Sequence, residues 1–402
     1  MPEPWPWPSA IVDLLARTRT AQPDGLSAAV NAALRPLGVH MTVYLVDLQQ
    51  RTLRALSEPD RPTPPAIAVD GTAAGRAFTD VRAVSADDAS GAYRLWLPLL
   101  DGSERLGIVE VTGSRPGAVD DPGFAEECDA FAALVGHLVT VKSPYGDHLV
   151  TARRTQRMSE ASELLWTLLP PLTFACDRMV ISGVLEPCYD VGGDGFDYAV
   201  DGSRAFVAIW DTVGHGLASG LATAVALSAM RAARRDGDGL AAIARAADAA
   251  LVEYIADSHF ATAVLADLDL DTGLLRYLNA GHPRPLLLRR GRVIRDLAGG
   301  RRMPLGLADP QLEVAEEQLE PGDRLLLYTD GVIEARDRDG EWFGERRLIE
   351  LFERHAAAGL PAPETLRRLC HAALAHYDGP PRDDATLLLV EWSRQAVGRM
   401  LP

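Results

Sequence analysis

The sequence predicts an α+β protein with two domains joined by a helix. Its 402 residues correspond to two or three domains at roughly 150 residues each. Apolar residues make up 47% and charged residues 24%, which is typical of folded globular domains and not of disordered chains. In the C-terminal part, predicted helices come in consecutive pairs between runs of strands, which favours separate helix and sheet layers over a doubly wound parallel sheet.

The charge and cysteine content argue against several classes of partner. A net charge of -16 disfavours nucleic acid and anionic membranes, because phosphate binding depends on clustered Lys and Arg, whereas divalent cations suit an acidic chain. The four cysteines form no CxxC pair, so neither a zinc site nor a disulfide framework is indicated. No signal peptide or membrane span is recognisable. We therefore expect a cytoplasmic protein.

Residues 1–142 predict a separate domain. Two helical patterns between Ser9 and Leu37 precede a strand pair, a short helix at Gly71–Phe78, three strands and a closing helix from about Asp121. This order, ααββαβββα, resembles a GAF domain, as does the stretch Gly-Thr-Ala-Ala-Gly-Arg-Ala-Phe at Gly71–Phe78. The resemblance implies an α/β sensor domain, and a PAS-like sensor is the alternative.

Residues 143–170 predict a linker helix. The helical pattern runs from Asp147 to Leu169 and ends at Pro170, because proline cannot continue a helix. Four apolar residues follow the spacing of a coiled-coil seam: Met158, Ala161, Leu165 and Leu168. Two interpretations are open, a short coiled-coil homodimer and a helix that packs on its own domain. Because the helix joins a sensor-like domain to the C-terminal domain, we expect it to carry a signal between them.

Residues 171–402 predict a β-sandwich flanked by helix pairs. The predicted strands are Met179–Glu186, Phe196–Val200, Ala205–Asp211, Thr262–Leu268, Leu274–Ala280, Pro285–Arg289, Leu312–Leu319, Arg324–Thr329 and Ala385–Trp392. The predicted helices are Leu217–Arg235 with Leu240–Ala256, and Glu345–Ala358 with Pro363–Tyr377.

Four segments place an acidic residue at a strand end beside glycine or a second acid. They are Val191–Asp197, Asp211–Gly216, Tyr328–Gly331 and Asp383–Thr386. Carboxylates at the rim of a sheet, with glycines that allow close approach of backbone carbonyls, provide the oxygen ligands that Mg²⁺ and Mn²⁺ prefer. Any one of these segments alone is more often a simple turn.

The four segments together resemble the SpoIIE-like branch of the metal-dependent protein serine/threonine phosphatases, relatives of the type 2C phosphatases. The similarity covers about Arg157–Trp392 and includes three further motifs at Leu168–Pro170, Asn279–Pro283 and Pro304–Leu307. It implies a protein serine/threonine phosphatase with two Mn²⁺ or Mg²⁺ ions, which activate a water for in-line attack on phosphorus.

The resemblance also implies the ligands of the two ions. Asp211 would bridge them, and the backbone carbonyl of Thr212 would be a further ligand. Asp194 would bind the outer ion. Asp330 and Asp383 would bind the inner ion.

Three more residues are candidates for supporting roles. Asp197 and Asp384 would hold water or orient ligands, and His215 is a candidate general acid. A histidine between two glycines at a helix start more often caps or packs, and His282 is expected to fix a turn. Gly195 stands where the family commonly has an aromatic residue, so we expect a looser loop there.

Two other functions remain open, and the substrate follows only from the resemblance. Gly192-Gly193-Asp194 also resembles the GGDEF signature of diguanylate cyclases, although that signature continues with an acidic and an aromatic residue in a hairpin. A catalytically weak, partner-binding phosphatase-like module is the second alternative. The SpoIIE resemblance implies a phosphorylated STAS-domain anti-sigma-factor antagonist as substrate, which we expect to be a separate protein.

Overall fold

The computed structural model describes residues 7–59, 61–87, 93–113, 122–186, 189–190, 192–214, 216–255, 260–379, 381, 383–394 and 397–400. The chain divides into two compact units: the N-terminal unit is Met1–Gln156 together with Arg399–Pro402, and the C-terminal unit is Arg157–Gly398. Within the described residues, no helix has the length and hydropathy needed to cross a membrane.

The N-terminal unit is built on one six-stranded antiparallel sheet in the order β3-β2-β1-β6-β5-β4. Its strands are β1 (Val39–Val46), β2 (Thr52–Ala55), β3 (Ile67–Ala68), β4 (Val84–Asp87), β5 (Tyr93–Asp101) and β6 (Glu104–Gly113). Its helices are α1 (Trp7–Thr18), α2 (Leu26–Leu34), α3 (Ala73–Asp80), α4 (Pro122–Lys142) and α5 (His148–Ala152). The predicted element order is present, with the two-residue strand β3 in addition.

Side-chain alternation along β1 separates two layers of the N-terminal core. Met41 and Val43 face helices α1, α2 and α4, where Trp7 and Phe131 pack edge to face. Tyr44 points to the opposite face and packs with Trp96 beneath α3. The sheet therefore has helices on both faces.

The C-terminal unit is a sandwich of two six-stranded sheets with helices on its outer faces. The strands are β7 (Thr173–Cys176), β8 (Met179–Glu186), β9 (Gly195–Asp201), β10 (Arg204–Thr212), β11 (Ala261–Asp269), β12 (Leu274–Ala280), β13 (Leu286–Arg289), β14 (Arg292–Asp296), β15 (Arg301–Arg302), β16 (Ala315–Gln318), β17 (Asp323–Tyr328) and β18 (Ala385–Trp392). The helices are α6 (Glu160–Leu168), α7 (Leu217–Arg235), α8 (Leu240–Tyr254), α9 (Asp330–Ile333), α10 (Gly344–Ala357) and α11 (Ala362–Leu374).

Each sheet contributes one face to the core between them. The first sheet has the order β15-β12-β11-β10-β9, with β16 also paired to β12, and the second has the order β14-β13-β17-β18-β8-β7. Phe196 and Val207 of the first sheet pack against Ile181 and Leu388 of the second. Helices α7 and α8 cover the outer face of the first sheet, and α11 contacts β8 and β18 of the second. The predicted α+β sandwich with helix pairs is confirmed.

The predicted continuous helix from Asp147 to Leu169 is wrong. The chain forms two short helices, α5 and α6, and the boundary between the two units lies between them. Helix α6 begins anew because the hydroxyl of Ser159 accepts a hydrogen bond from the Ser162 N–H at 3.2 Å, as an N-cap does. The Ser159 N–H is bound by the carbonyl of Tyr189. The helical periodicity continued through this break, so it could not reveal the cap.

The seam predicted for a coiled-coil dimer faces the interior of the C-terminal unit. Met158, Ala161 and Leu165 are all buried. Leu165 packs with Leu185 of β8, and Ala161 lies against Gly220 of α7. These side chains are therefore not available for pairing with a second copy, and the alternative of packing on its own domain is the one observed.

Replacing Leu165 with aspartate tests this packing. Leu165→Asp should lower the free energy of unfolding of the C-terminal unit by about 2–5 kcal/mol or more, because a buried leucine is lost and a charge takes its place. Thr167→Asp, at an exposed position of the same helix, should change it by less than about 0.5 kcal/mol. Urea unfolding measures both. A Leu165→Asp protein of unchanged stability that dissociates from dimer to monomer would support the coiled-coil seam instead.

Candidate metal centre

Five acidic residues lie at strand ends where the two sheets of the C-terminal unit come together. Asp194 directly precedes β9 and Asp211 is near the end of β10, both in the first sheet. Asp330 opens helix α9 after β17, and Asp383 and Asp384 directly precede β18, both in the second sheet. The predicted ligands Asp194, Asp211, Asp330 and Asp383 therefore approach one another from both layers of the sandwich.

The pKa values of Asp211 and Asp194 show that these two carboxylates feel the charges of neighbouring acids. Burial, followed by the negative charges of Asp330, Asp383 and Asp384, raises the pKa of Asp211 to about 7. Burial and the charges of Asp211 and Asp384 raise the pKa of Asp194 well above its ordinary value. Among the described residues, none of the five acids forms an ion pair with Arg or Lys. In that part of the chain, the site is a concentration of negative charge that no Arg or Lys neutralises.

Asp384 holds the loop that carries Asp194. Its Oδ2 accepts hydrogen bonds from the backbone N–H groups of Gly192, Gly193 and Asp194 at 2.6, 2.8 and 3.3 Å. Burial raises the pKa of Asp384 to about 6, although these three donors act in the opposite direction. The side chain thus ties the start of β18 to the loop before β9, a support for the loop and not a free water-binding group.

Thr329 is a site residue that the sequence reasoning missed. Its hydroxyl donates to Oδ2 of Asp194 at 2.7 Å and accepts from the Thr386 N–H at 2.9 Å. It therefore orients the Asp194 carboxylate and joins β17 to β18. The signal in the sequence was a hydroxyl residue immediately before Asp330, inside a segment already singled out for its acid.

Asp197 does not join the five acids. Its carboxylate is almost fully buried and accepts hydrogen bonds from Arg231 at 2.8 Å and Arg234 at 3.3 Å, both from helix α7. The prediction that Asp197 holds water at the metal site is wrong, because the guanidinium groups of Arg231 and Arg234 bind its two carboxylate oxygens. Three residues of extended chain beyond Asp194 carry it away from the strand ends.

The predictions for the two histidines and for Gly195 compare differently with the structure. His215 lies outside the described residues. His282 lies in a turn, but the Asn279 side chain holds that turn: its Oδ1 accepts from the His282 backbone N–H at 2.8 Å and its Nδ2 donates to the His282 carbonyl at 3.0 Å. The His282 imidazole instead lies with Nδ1 2.7 Å from the Thr262 hydroxyl. Gly195 is buried in β9, and a side chain there would come within 2.8 Å of the Trp210 indole. The expected looser loop is therefore absent at Gly195, since Trp210 packs into the available space.

The loop before Asp194 does not form the hairpin that a diguanylate cyclase signature requires. It connects β8 to β9, which belong to different sheets. A hairpin would pair its two flanking strands directly. The topology therefore removes the structural basis of the cyclase interpretation.

The donors of the site suit Mg²⁺ or Mn²⁺. The candidate ligands are carboxylates and one backbone carbonyl, an all-oxygen set of the kind these hard cations bind. The Thr212 carbonyl already accepts one hydrogen bond, from the Ser219 hydroxyl at 3.1 Å, and keeps a second lone pair. In the described part of the chain, no three His, Cys, Asp or Glu side chains converge tightly enough to hold an ion as they stand.

A comparison with known families identifies the C-terminal unit. Residues 201–393 match the model of the Stage II sporulation protein E (SpoIIE) family. This span of the chain belongs to the SpoIIE family. It contains Asp211, Asp330, Asp383 and Asp384, and Asp194 lies seven residues before it. The predicted SpoIIE-like domain is confirmed.

The chain is also similar to individual known proteins. The chain is 30% identical over 145 residues to protein IcfG of Synechocystis, covering 34% of this chain and 22% of IcfG. It is 25% identical over 233 residues to the phosphoserine phosphatase RsbU of Bacillus subtilis, covering 57% and 68%. The crystal structure of the RsbU and RsbW domains of a Mycobacterium tuberculosis protein is 27% identical, with a TM-score of 0.49, covering 54% of this chain and 62% of that one.

The SpoIIE-family domain should lose stability in acid through His282. Burial lowers the pKa of His282 from 6.5 to about 3, so between these values the unfolded chain binds a proton that the folded chain does not. Its contribution to stability is complete above pH 6.5 and is lost as the pH falls. Between pH 7 and pH 5, the free energy of unfolding measured in urea should therefore fall by about 2 kcal/mol more for wild type than for His282→Gln. Equal losses in the two proteins would show that His282 does not stay neutral in the fold.

Proposed function

We propose that this chain is a metal-dependent protein serine/threonine phosphatase. The observation that carries the proposal is the group of five acids at the junction of the two sheets, which pair with no Arg or Lys among the described residues, in a domain of the SpoIIE family. Hydrolysis joins a water oxygen to phosphorus and breaks the bond from phosphorus to the serine or threonine oxygen. That oxygen leaves with a proton, and inorganic phosphate is released.

The proposed ligands are the residues that the sequence predicts. Asp194, Asp211, the Thr212 carbonyl, Asp330 and Asp383 would hold two Mn²⁺ or Mg²⁺ ions. Such a pair of ions, when bound, supplies the positive charge that acidifies a water molecule and neutralises phosphoryl oxygens.

The protein's own contribution is to hold the acids in place before substrate arrives. Thr329 fixes one oxygen of Asp194 by donating a hydrogen bond to it. Asp384 prevents movement of the loop at 192–194 by binding three consecutive N–H groups. Preorganisation of this kind lowers the cost of reaching the transition state.

The substrate class is proposed from the relatives. RsbU and RsbP of Bacillus subtilis are both named phosphoserine phosphatases. We propose that this chain acts in a partner-switching pathway in the cytoplasm, on a phosphorylated STAS-domain antagonist of an anti-sigma factor. Residues 1–142 would then be a GAF-like sensor, with 143–170 as the connection and 171–402 as the phosphatase domain.

Replacing single acids tests the catalytic proposal. With Mn²⁺ present, Asp211→Asn or Asp330→Asn should lower the rate of p-nitrophenyl phosphate hydrolysis at least about 10³-fold, because the site loses a ligand that both ions or one ion requires. Asp236→Asn, on an exposed turn, is the control with the same charge change and should retain the wild-type rate. EDTA should abolish activity and added Mn²⁺ should restore it. Full activity of both acid variants would contradict the assignment.

A second measurement addresses the substrate. STAS-domain proteins from the same cell, phosphorylated on serine, are incubated with wild type and with Asp211→Asn, and release of phosphate is followed. Wild type should dephosphorylate at least one of them faster than it does an unrelated phosphoserine protein. If none is dephosphorylated above the Asp211→Asn background while p-nitrophenyl phosphate is still hydrolysed, the chemistry stands and the substrate class is wrong.

A further inference from the structure

Helix α7 carries two fully buried hydroxyl groups next to the candidate metal centre. Ser219 and Thr223 are one helical turn apart, and both have no exposed surface. They face the ends of the two segments that carry Asp211 and Asp194. In contrast, the exposed hydroxyl of Ser228 on the same helix only bonds to the carbonyl of Ala224 within the helix.

The hydroxyl of Thr223 joins the two segments in a defined direction. It donates to the carbonyl of Gly193 at 2.7 Å and lies 2.8 Å from the hydroxyl of Thr212. Because a hydroxyl has a single proton, Thr223 must accept from Thr212. The chain of hydrogen bonds therefore runs from Thr212, beside Asp211, through Thr223 to Gly193, beside Asp194.

Ser219 adds a second link to the same two segments. Its hydroxyl donates to the Thr212 carbonyl at 3.1 Å. A Cβ on Gly193 would come 2.1 Å from the Ser219 Oγ and 2.6 Å from the Thr212 carbonyl oxygen, so only glycine allows this close approach. The loop, the strand end and the helix are thus in contact at van der Waals distance, with no room for a shift of one relative to the others.

We propose that Thr223, assisted by Ser219, is a positioning residue that fixes the separation of Asp194 and Asp211 and thereby sets the affinity of the site for divalent cations. This inference rests on the proposed function, because it assumes that the two acids share a pair of ions. Neither hydroxyl touches substrate in this proposal; each acts through the backbone next to a ligand. Groups that orient metal ligands in this way influence affinity about 10- to 100-fold.

The test measures Mn²⁺ binding without substrate. The full chain is treated with EDTA, dialysed and titrated with MnCl₂ by isothermal titration calorimetry. Thr223→Val removes the hydroxyl at nearly constant volume and should weaken Mn²⁺ binding about 10- to 100-fold. Thr223→Ser keeps the hydroxyl and should bind within about threefold of wild type, and Ser228→Ala, the control on the same helix, should bind as wild type does.

A kinetic measurement separates positioning from damage to the fold. For Thr223→Val, the Mn²⁺ concentration that gives half-maximal p-nitrophenyl phosphate hydrolysis should rise with the dissociation constant, while KM for the phosphate ester at saturating Mn²⁺ stays near the wild-type value. Near-ultraviolet circular dichroism checks that the variant is folded. If it is not, Ser219→Ala, which leaves the hydroxyl of Thr223 in place, is measured in the same way and should also weaken Mn²⁺ binding.

Two results would overturn the inference. One is a folded Thr223→Val protein that binds Mn²⁺ like wild type; the other is equal weakening in Thr223→Ser and Thr223→Val, which would assign the effect to packing and not to the hydroxyl. Absence of Mn²⁺ binding by wild type itself would instead overturn the proposed function, and this inference with it.

Discussion

The mutual repulsion of carboxylates at the junction of two sheets is the constraint on which the C-terminal unit depends. Asp194 and Asp211 come from one sheet, and Asp330, Asp383 and Asp384 come from the other or its flanking loops. Burial makes this charge more costly, as the raised pKa values of Asp211 and Asp194 show. The fold offsets part of the cost with neutral hydrogen-bond donors. Backbone N–H groups donate to the Asp384 carboxylate, and the Thr329 hydroxyl donates to the Asp194 carboxylate. Neutral donors hold a carboxylate in place while leaving its charge for a cation.

Helix α7 connects this site to the rest of the C-terminal unit. At its start, Ser219 and Thr223 bond to the segments next to the ligands. Near its end, Arg231 donates both to Asp197 and to the carbonyl of Leu168, the last residue of α6. A displacement of α6 would therefore act on the same helix that holds the site, through a charge-assisted hydrogen bond and the close packing of Ala161 on Gly220.

Much of this arrangement could be predicted from the sequence, because acids beside glycine at strand ends leave a local pattern. The alternating pattern of the strands and the pairing of the helices also predicted the two-sheet sandwich, because both patterns depend on residues close together in the sequence. The break before α6 escaped prediction because the apolar period continues across Ser159, whose capping bond to Ser162 and contact with Tyr189 mark the start of the helix. Asp197 was misplaced for a related reason. Its partners Arg231 and Arg234 lie 34 and 37 residues away, a separation that no local pattern records.

The placement of ligands on both sheets links metal binding to the stability of the sandwich. An ion held by Asp211 and Asp330 would connect the end of β10 with the end of β17, two strands from different sheets. The unfolded chain offers no such convergence, so cation binding favours the folded state by an amount that grows with cation concentration. The same reasoning explains why supports such as Thr329 and Thr223 are uncharged: a buried arginine or lysine would neutralise the acids permanently and compete with the cation. The site thus keeps an electrostatic cost that a bound divalent ion would remove without protonating the acids.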